Sequence, residues 1–292
     1  MKVLKITFAF ALFFATNYAT AQSLLNGFMN GKGKGTFALS YSGESYDNVF
    51  LAPIDAKGVP VFNDVNVKST SFFGTYGLTD KLDITASLPY ITVNGNASQD
   101  VLNELQFQNE RKGLQDLSLF AKYRVFESEM SQSKLQIMAG AGIKTPLGGY
   151  NVAEGLQSIL AIGNRATSFN GLAIAHFKTN GGFFATGQLG YSLRSGDVPN
   201  ALTSEVKLGY AASKFYVDGW LATQTSNGGV NILGDGFKGV FPATDVSYSR
   251  MGITVFAPIA NGFGVSLSAS QYLSGRNIGQ SKGIAGGLTY SF

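Results

Sequence analysis

The chain has 292 residues, a net charge of +4, 14% charged residues, 37 glycines and no cysteine. The absence of thiols excludes a disulfide framework, a thiolate metal site, a cysteine nucleophile and a lipid-modified N-terminal cysteine. Charge lies well below the usual quarter of residues, and no segment after the N-terminal leader approaches eighteen consecutive apolar residues, so a transmembrane helix is excluded.

The N-terminus carries Lys2 and Lys5, then a stretch over 6–14 that is apolar except for Thr7, then Ala19-Thr20-Ala21. A positive start, a short greasy run and a small-x-small site make a secretory signal peptide, predicted as residues 1–21 with cleavage after Ala21. Its removal leaves a net charge of about +2, so the basic isoelectric point gives no support for nucleic-acid binding. Residues 22–34 (QSLLNGFMNGKGK) form a glycine-rich lead, expected either in the periplasm or inside a lumen.

From residue 35 onward apolar residues recur with period two, the pattern of a strand with unlike faces. Over 35–42, Phe37, Leu39 and Tyr41 share one side, and over 82–93 so do Leu82, Ile84, Ala86, Leu88 and Tyr90. Over 115–125, Leu117, Leu119, Ala121, Tyr123 and Val125 oppose Asp116, Ser118, Lys122 and Arg124. Over 134–144, Leu135, Ile137, Ala139, Ala141 and Ile143 oppose Lys134, Gln136 and Lys144. The pattern returns at 183–194, 204–211, 214–224, 246–257, 262–273 and 283–292, while 66–78 and 167–179 are strand-like with an ambiguous face.

The connections alternate in length. Short ones are expected near 79–81, 127–133, 180–182, 212–214 and 258–261, and long ones near 43–65, 94–113, 145–166, 195–202, 225–243 and 274–282. Short periplasmic turns, long outer loops and an even strand number define a bacterial outer-membrane barrel. The expected fold is therefore all-β: a transmembrane antiparallel up-and-down β-barrel of about twelve strands over residues 22–292. A secreted β-sandwich is the alternative, but it would carry more surface charge and has no reason to alternate its loops. Pro53, Pro60, Pro146, Pro199, Pro242 and Pro258 fall in expected connections, whereas Pro89 falls inside a strand, where a bulge or a missing ladder bond is expected.

Three stretches carry a family likeness. Residues 76–90 read YGLTDKLDITASLPY, 113–124 read GLQDLSLFAKYR and 140–148 read GAGIKTPLG. They resemble a bacterial family of outer-membrane transporters assigned to the MetA pathway of phenol degradation, over roughly residues 70–150. The family usually shows Gly-x-Gly-Asp where this chain has Gln115 in place of the second glycine. A more distant likeness is to fatty-acid and aromatic-hydrocarbon channels. The resemblance implies a barrel that passes small molecules. The final residues, Leu288 to Phe292, resemble the C-terminal strand signal read by the outer-membrane assembly machinery.

Asp80 and Asp83, three apart, suit a turn and a strand rim better than acid–base catalysis; Asp80 is expected to bond backbone N–H groups close to its own turn. The single histidine, His176, has no serine closer in sequence than Ser168, and a lipid-hydrolase site would need one brought across strands. No metal-ligand spacing or phosphate loop is present, and no cofactor is expected.

If the apolar faces meet lipid, the lumen receives Asp83, Asp116, Lys122, Arg124, Lys134, Lys144, Arg194, Glu205, Lys207, Asp218 and Arg250. These either pair into a rigid polar core or form a basic constriction. The long loops are apolar at Phe50, Leu105, Phe107, Leu156, Leu160, Phe237 and Phe241, which either line a vestibule at the mouth or pack as a lid.

The expected function is passive passage of small molecules, hydrophobic or aromatic ones among them, across the outer membrane of a Gram-negative bacterium. The expected partners are outer-membrane lipid and lipopolysaccharide, the assembly machinery and the solute. The alternatives are a lipid-modifying barrel using His176 with a serine, and a closed structural or adhesion barrel.

Overall fold

The computed structural model describes residues 24–51 and 55–292; the expected signal peptide over 1–21, the first two residues of the lead, and Pro53 lie outside them. The elements in chain order are β1 (Gly35–Tyr46), β2 (Asn48–Phe50), β3 (Asp55–Lys57), β4 (Val65–Thr79), β5 (Leu82–Gly95), α1 (Gln99–Leu105), β6 (Glu110–Leu114), β7 (Asp116–Met130) and β8 (Ser133–Pro146). They continue with β9 (Ser168–Thr179), β10 (Phe183–Arg194), β11 (Asn200–Ala211), β12 (Tyr216–Asn227), β13 (Ser247–Ala260), β14 (Phe263–Arg276), β15 (Ile278–Gly279) and β16 (Lys282–Ser291).

Twelve of these, β1, β4, β5, β7 to β14 and β16, pair antiparallel with their neighbours and close into one barrel. The closing seam joins β1 to β16 from Thr36↔Ser291 to Ser45↔Lys282. Closure leaves the wall without a free strand edge, the arrangement that lets a sheet cross lipid with its backbone groups paired. Phe37, Leu39 and Tyr41 on β1, Leu119 and Tyr123 on β7, Leu267 on β14 and Leu288 on β16 all stand exposed on the outer surface. Such a belt of large apolar side chains is matched by a bilayer, not by water.

The structure settles the two strands whose faces the sequence leaves open. On β4, Phe72 and Tyr76 point outward while Ser69 is buried inside. On β9, Phe169 and Phe177 point outward while Ile174 and His176 are buried inside. Part of the inner face of β9 is apolar because other protein, not water, covers it.

Pro89 lies on β5 where the pairing slips by one residue. On one side of it Ser87 pairs with Ser118, and on the other Tyr90 pairs with Leu114. Leu88 and Pro89 therefore face three residues, Gln115, Asp116 and Leu117, and the Pro89 carbonyl accepts from the Gln115 amide. This is the expected bulge, and it divides one long strand into β6 and β7. Two other prolines depart from expectation. Pro146 is the last residue of β8, and Pro258 sits inside β13 at a second register shift, because that strand runs on to Ala260. The β13–β14 turn is thus tighter than expected, with Asn261 and Gly262 both at positive φ as a two-residue hairpin requires.

At the opposite end the long connections pack over the mouth. Val59, Phe62, Val65, Val93, Leu102, Tyr150, Leu160 and Ile162 form a common buried cluster, drawn from three separate connections and the strand ends beside them. Within these connections Gln99–Leu105 forms α1, capped by the Ser98 hydroxyl, and Gly155–Leu160 forms a 3-10 helix. The small sheet β15–β2–β3 lies beside this lid, with Val49 packed against the cluster.

Candidate functional site

The lumen is divided into tiers, and the first is filled by the chain itself. Residues 24–34 run inside the barrel and leave at the end with the short turns, where the Gly33 amide bonds the Gly77 carbonyl and Gly35 starts β1. Leu25 packs in an apolar seat against Met138 and Ile174, with Met29, Phe120 and Leu172 around it. Phe28 meets His176, Phe184 and Tyr216 edge-on, with centroids 4.5, 5.1 and 6.2 Å away. The fit is close enough to demand glycine at 27, where a Cβ would fall 2.2 Å from the His176 Nδ1.

Polar contacts fasten this segment. Lys122 donates to the carbonyls of Asn26, at 3.0 Å, and Phe28. Asp83 is wholly buried and accepts from the Asn30 amide at 3.1 Å and the Asn30 side chain at 3.0 Å. Its other neighbour is the Lys122 ammonium at 3.5 Å. Gln188 donates to the Leu25 carbonyl, and Asp80 accepts from the Lys32 amide at 3.0 Å. The turn aspartate thus holds the N-terminal segment, not its own hairpin, where Thr79 makes the local bond to the Lys81 amide. Asp83 does stand at the short-turn end, on the inner face as the second residue of β5, but it is fully buried there and clamps the segment.

The remaining charges of the lumen and its rims are largely matched. Lys207 lies between Glu205 and Asp218, 3.7 Å from each. Arg250 meets Glu44 at 2.7 Å and lies over the Tyr272 ring. Arg124 pairs with Glu127, and Lys134 with Glu129, near the short-turn rim. Lys144 is 3.4 Å from Asp116, which also accepts from the Tyr150 hydroxyl. Burial, and then the bond to Asp116, push the Tyr150 phenol well above its usual range, so it remains a donor. Arg194 bonds Gln224 at 2.9 Å and the Pro199 carbonyl at 3.4 Å, and no carboxylate among the described residues forms an ion pair with it.

Under the lid lies a chamber of about 490 Å³. Its apolar lining includes Val67, Ile91, Val93, Ile162 and Ile278, and its polar lining includes Asp116, Lys144, Ser168 and Arg194. A smaller space of about 200 Å³ beside Glu205 and Arg250 lies deeper. A larger concavity, about 1010 Å³ over Ala86, Ala121, Ala141 and Gly171, is a trough on the outer wall and faces lipid.

None of the seven apolar loop residues singled out from sequence lines the chamber. Leu160 is wholly buried in the lid, and Phe107 packs against that cluster. Leu105 and Leu156 point outward, Phe50 pairs β2 with β15, and Phe237 and Phe241 pack edge-to-face on each other. The residues that do line it, Val67, Ile91 and Val93, sit near strand ends in ordinary alternation, and only the fold gathers them. His176 faces the lumen beneath Phe28. Its Nδ1 lies 2.8 Å from the Thr186 hydroxyl, its one hydrogen-bond partner among the described residues, so no serine is bonded to it.

No family model matches the chain, and no curated protein matches it in sequence. Among solved structures, the COG4313 outer membrane channel from Pseudomonas putida F1 is similar with a TM-score of 0.71 at 13% identity, over 92% of this chain and 100% of that one. The translocator domain of the autotransporter NalP from Neisseria meningitidis gives 0.45 at 12% identity, over 90% of this chain and 89% of that one. Outer membrane phospholipase A from Escherichia coli gives 0.40 at 9% identity, over 88% of this chain and 92% of that one. The last two scores are too low to bear on function. The first shows that the fold is that of an outer-membrane barrel, as the hairpin motifs imply.

Proposed function

We propose that the protein is an outer-membrane channel for passive passage of small hydrophobic or aromatic molecules. The observation that carries this reading is the chamber: an internal space of about 490 Å³, part apolar and part polar, between a packed lid and an inserted N-terminal segment. Its size falls within the roughly 300–1,000 Å³ usual for small-molecule sites. A solute held there passes onward only when residues 24–34 leave their seat, because Leu25 and Phe28 fill the lumen below. On this reading the chain lies in the outer membrane of a Gram-negative bacterium, exported by the leader, with lipid and lipopolysaccharide around the apolar belt. The C-terminal strand engages the assembly machinery.

The test is liposome uptake of neutral aromatic, fatty-acid and hydrophilic anionic solutes side by side. Uptake of the first two above that of protein-free liposomes is expected, with the hydrophilic solute excluded. Equal exclusion of all three by the protein and by a variant lacking 24–34 would remove the channel reading. That outcome would favour the second reading, a closed structural barrel, which the double closure by lid and N-terminal segment supports. A role as a lipid-modifying enzyme is not favoured, because His176 lies under Phe28 and bonds a threonine rather than a serine.

A further inference from the structure

We propose that the chamber under the lid binds apolar carboxylates. Arg194 and Lys144 hold the carboxylate, and Val67, Ile91, Val93 and Ile162 take the apolar body. Its biological use rests on the channel reading, but its chemistry stands on the chamber alone.

The chamber lining is unbalanced in charge. Asp116, Lys144 and Arg194 are its charged groups, so it carries one positive charge in excess. The excess sits on Arg194. Its partners, Gln224 and the Pro199 carbonyl, are neutral, whereas Lys122, Lys207 and Arg250 each have a carboxylate. A guanidinium has five N–H donors in a planar fork that matches a carboxylate, and in a partly dry space it favours a counter-charge. One monoanion would balance the chamber; a dianion would overshoot.

The strand register brings the cations together. Lys144 pairs with Ser168 on β9, and Ser168 pairs with Arg194 on β10. Three neighbouring strands therefore present a cation, a hydroxyl and a cation in one row. With strands about 4.8 Å apart, the two cationic residues stand about 10 Å apart at their backbones, and long side chains can converge on one group above Ser168. Lys144 can contribute, since the Asp116 carboxylate near it is also engaged by Tyr150.

The apolar part of the lining completes the site. Val67, Ile91 and Val93 come from the lid-side ends of β4 and β5, and Ile162 comes from the lid itself. These side chains offer no hydrogen bond and favour an apolar body against them, so the anion is the head of an amphiphile and not a free inorganic ion.

The experiment uses the full chain in lipid nanodiscs and two probes, 4-butylbenzoate and 4-butylbenzyl alcohol, titrated calorimetrically with empty nanodiscs subtracted. The wild type should bind the benzoate about tenfold tighter than the alcohol, in line with hydrogen bonds to a charged group. Arg194→Gln should remove that preference by weakening benzoate binding far more than alcohol binding, and alcohol binding that is still measurable also shows that the variant is folded. Arg194→Lys should keep part of the preference, and Lys144→Gln should reduce it a few-fold. Equal binding of the two probes by the wild type, no binding of either, or a preference that survives Arg194→Gln would overturn the proposal. Should Arg194→Gln not fold, Arg194→Lys with Lys144→Gln makes the same test. Liposome uptake of the alcohol separates the two readings. Uptake without carboxylate preference sinks this proposal alone, and preference without uptake sinks the channel alone.

Discussion

Replacing Asp83 by alanine should unseat the N-terminal segment. The carboxylate is fully buried and accepts two hydrogen bonds from Asn30, at 3.1 and 3.0 Å. A hydrogen bond to a charged group contributes about 1.5–3 kcal/mol, so losing both weakens docking by about 3–6 kcal/mol. At about 1.4 kcal/mol per tenfold, the undocked fraction rises about a hundred- to ten-thousandfold. The Lys122 ammonium also loses its counter-charge at 3.5 Å. Water entering behind a displaced segment is the easiest way to solvate it, which acts in the same direction. The assay exploits the absence of cysteine. Leu25 is only 2% exposed, so the thiol of Leu25→Cys reacts with a maleimide only when the segment leaves its seat. Its labelling rate should rise at least about a hundredfold when Asp83→Ala is added, as the shift in docking requires. A rate unchanged from the parent would show that Asp83 does not fasten the segment and would refute the reasoning.

Three other outcomes follow from named contacts. Gly77→Ala places a Cβ 2.0 Å from the Gly31 carbonyl oxygen, backbone against backbone, so the segment should seat poorly and bilayer conductance should rise while the barrel stays folded. Tyr150→Phe removes the donor to Asp116 and the acceptor of the Arg165 amide; a loss of about 1–3 kcal/mol in lid stability should appear as faster proteolysis within 147–166. Phe292→Ala removes a ring stacked 5.4 Å from Phe37 and 6.3 Å from Tyr76 but keeps the backbone bonds to Gly35; a drop of a few degrees in the heat-induced shift on electrophoresis is expected, with folding retained.

The wall is legible in the sequence because period two is written into each strand separately. Leu117 to Val125 against Asp116 to Arg124 needs no knowledge of neighbours, and Pro89 announces its bulge by lacking an N–H. The contents of the barrel are not legible. Residues 24–34 have no periodicity, and their destination shows only through their partners: buried Met138 and Ile174 on inner faces that should otherwise be wet. That same covering makes the face of 167–179 ambiguous. The sequence places Asp83 near the short-turn end but does not show its burial, which depends on Asn30 and Lys122, distant in sequence. Bulk in a loop does not say where the side chain goes: Leu160 is buried in the lid while Leu105 and Leu156 are exposed, and Val93 and Ile162 belong to the lid cluster and line the chamber as well.

The β1–β16 seam sets how the molecule must come together. Every other wall pairing joins strands that follow one another around the ring and along the chain, so hairpins can form from contacts made nearby. The pairing that begins at Thr36↔Ser291 alone spans the whole length. Zipping is therefore local until one final long-range event, which bears nearly all the topological delay. The strand that makes this last join is tethered directly to residues 24–34. The tail has to be tucked in by the time the ring shuts, or be threaded afterwards through the opening at which it begins.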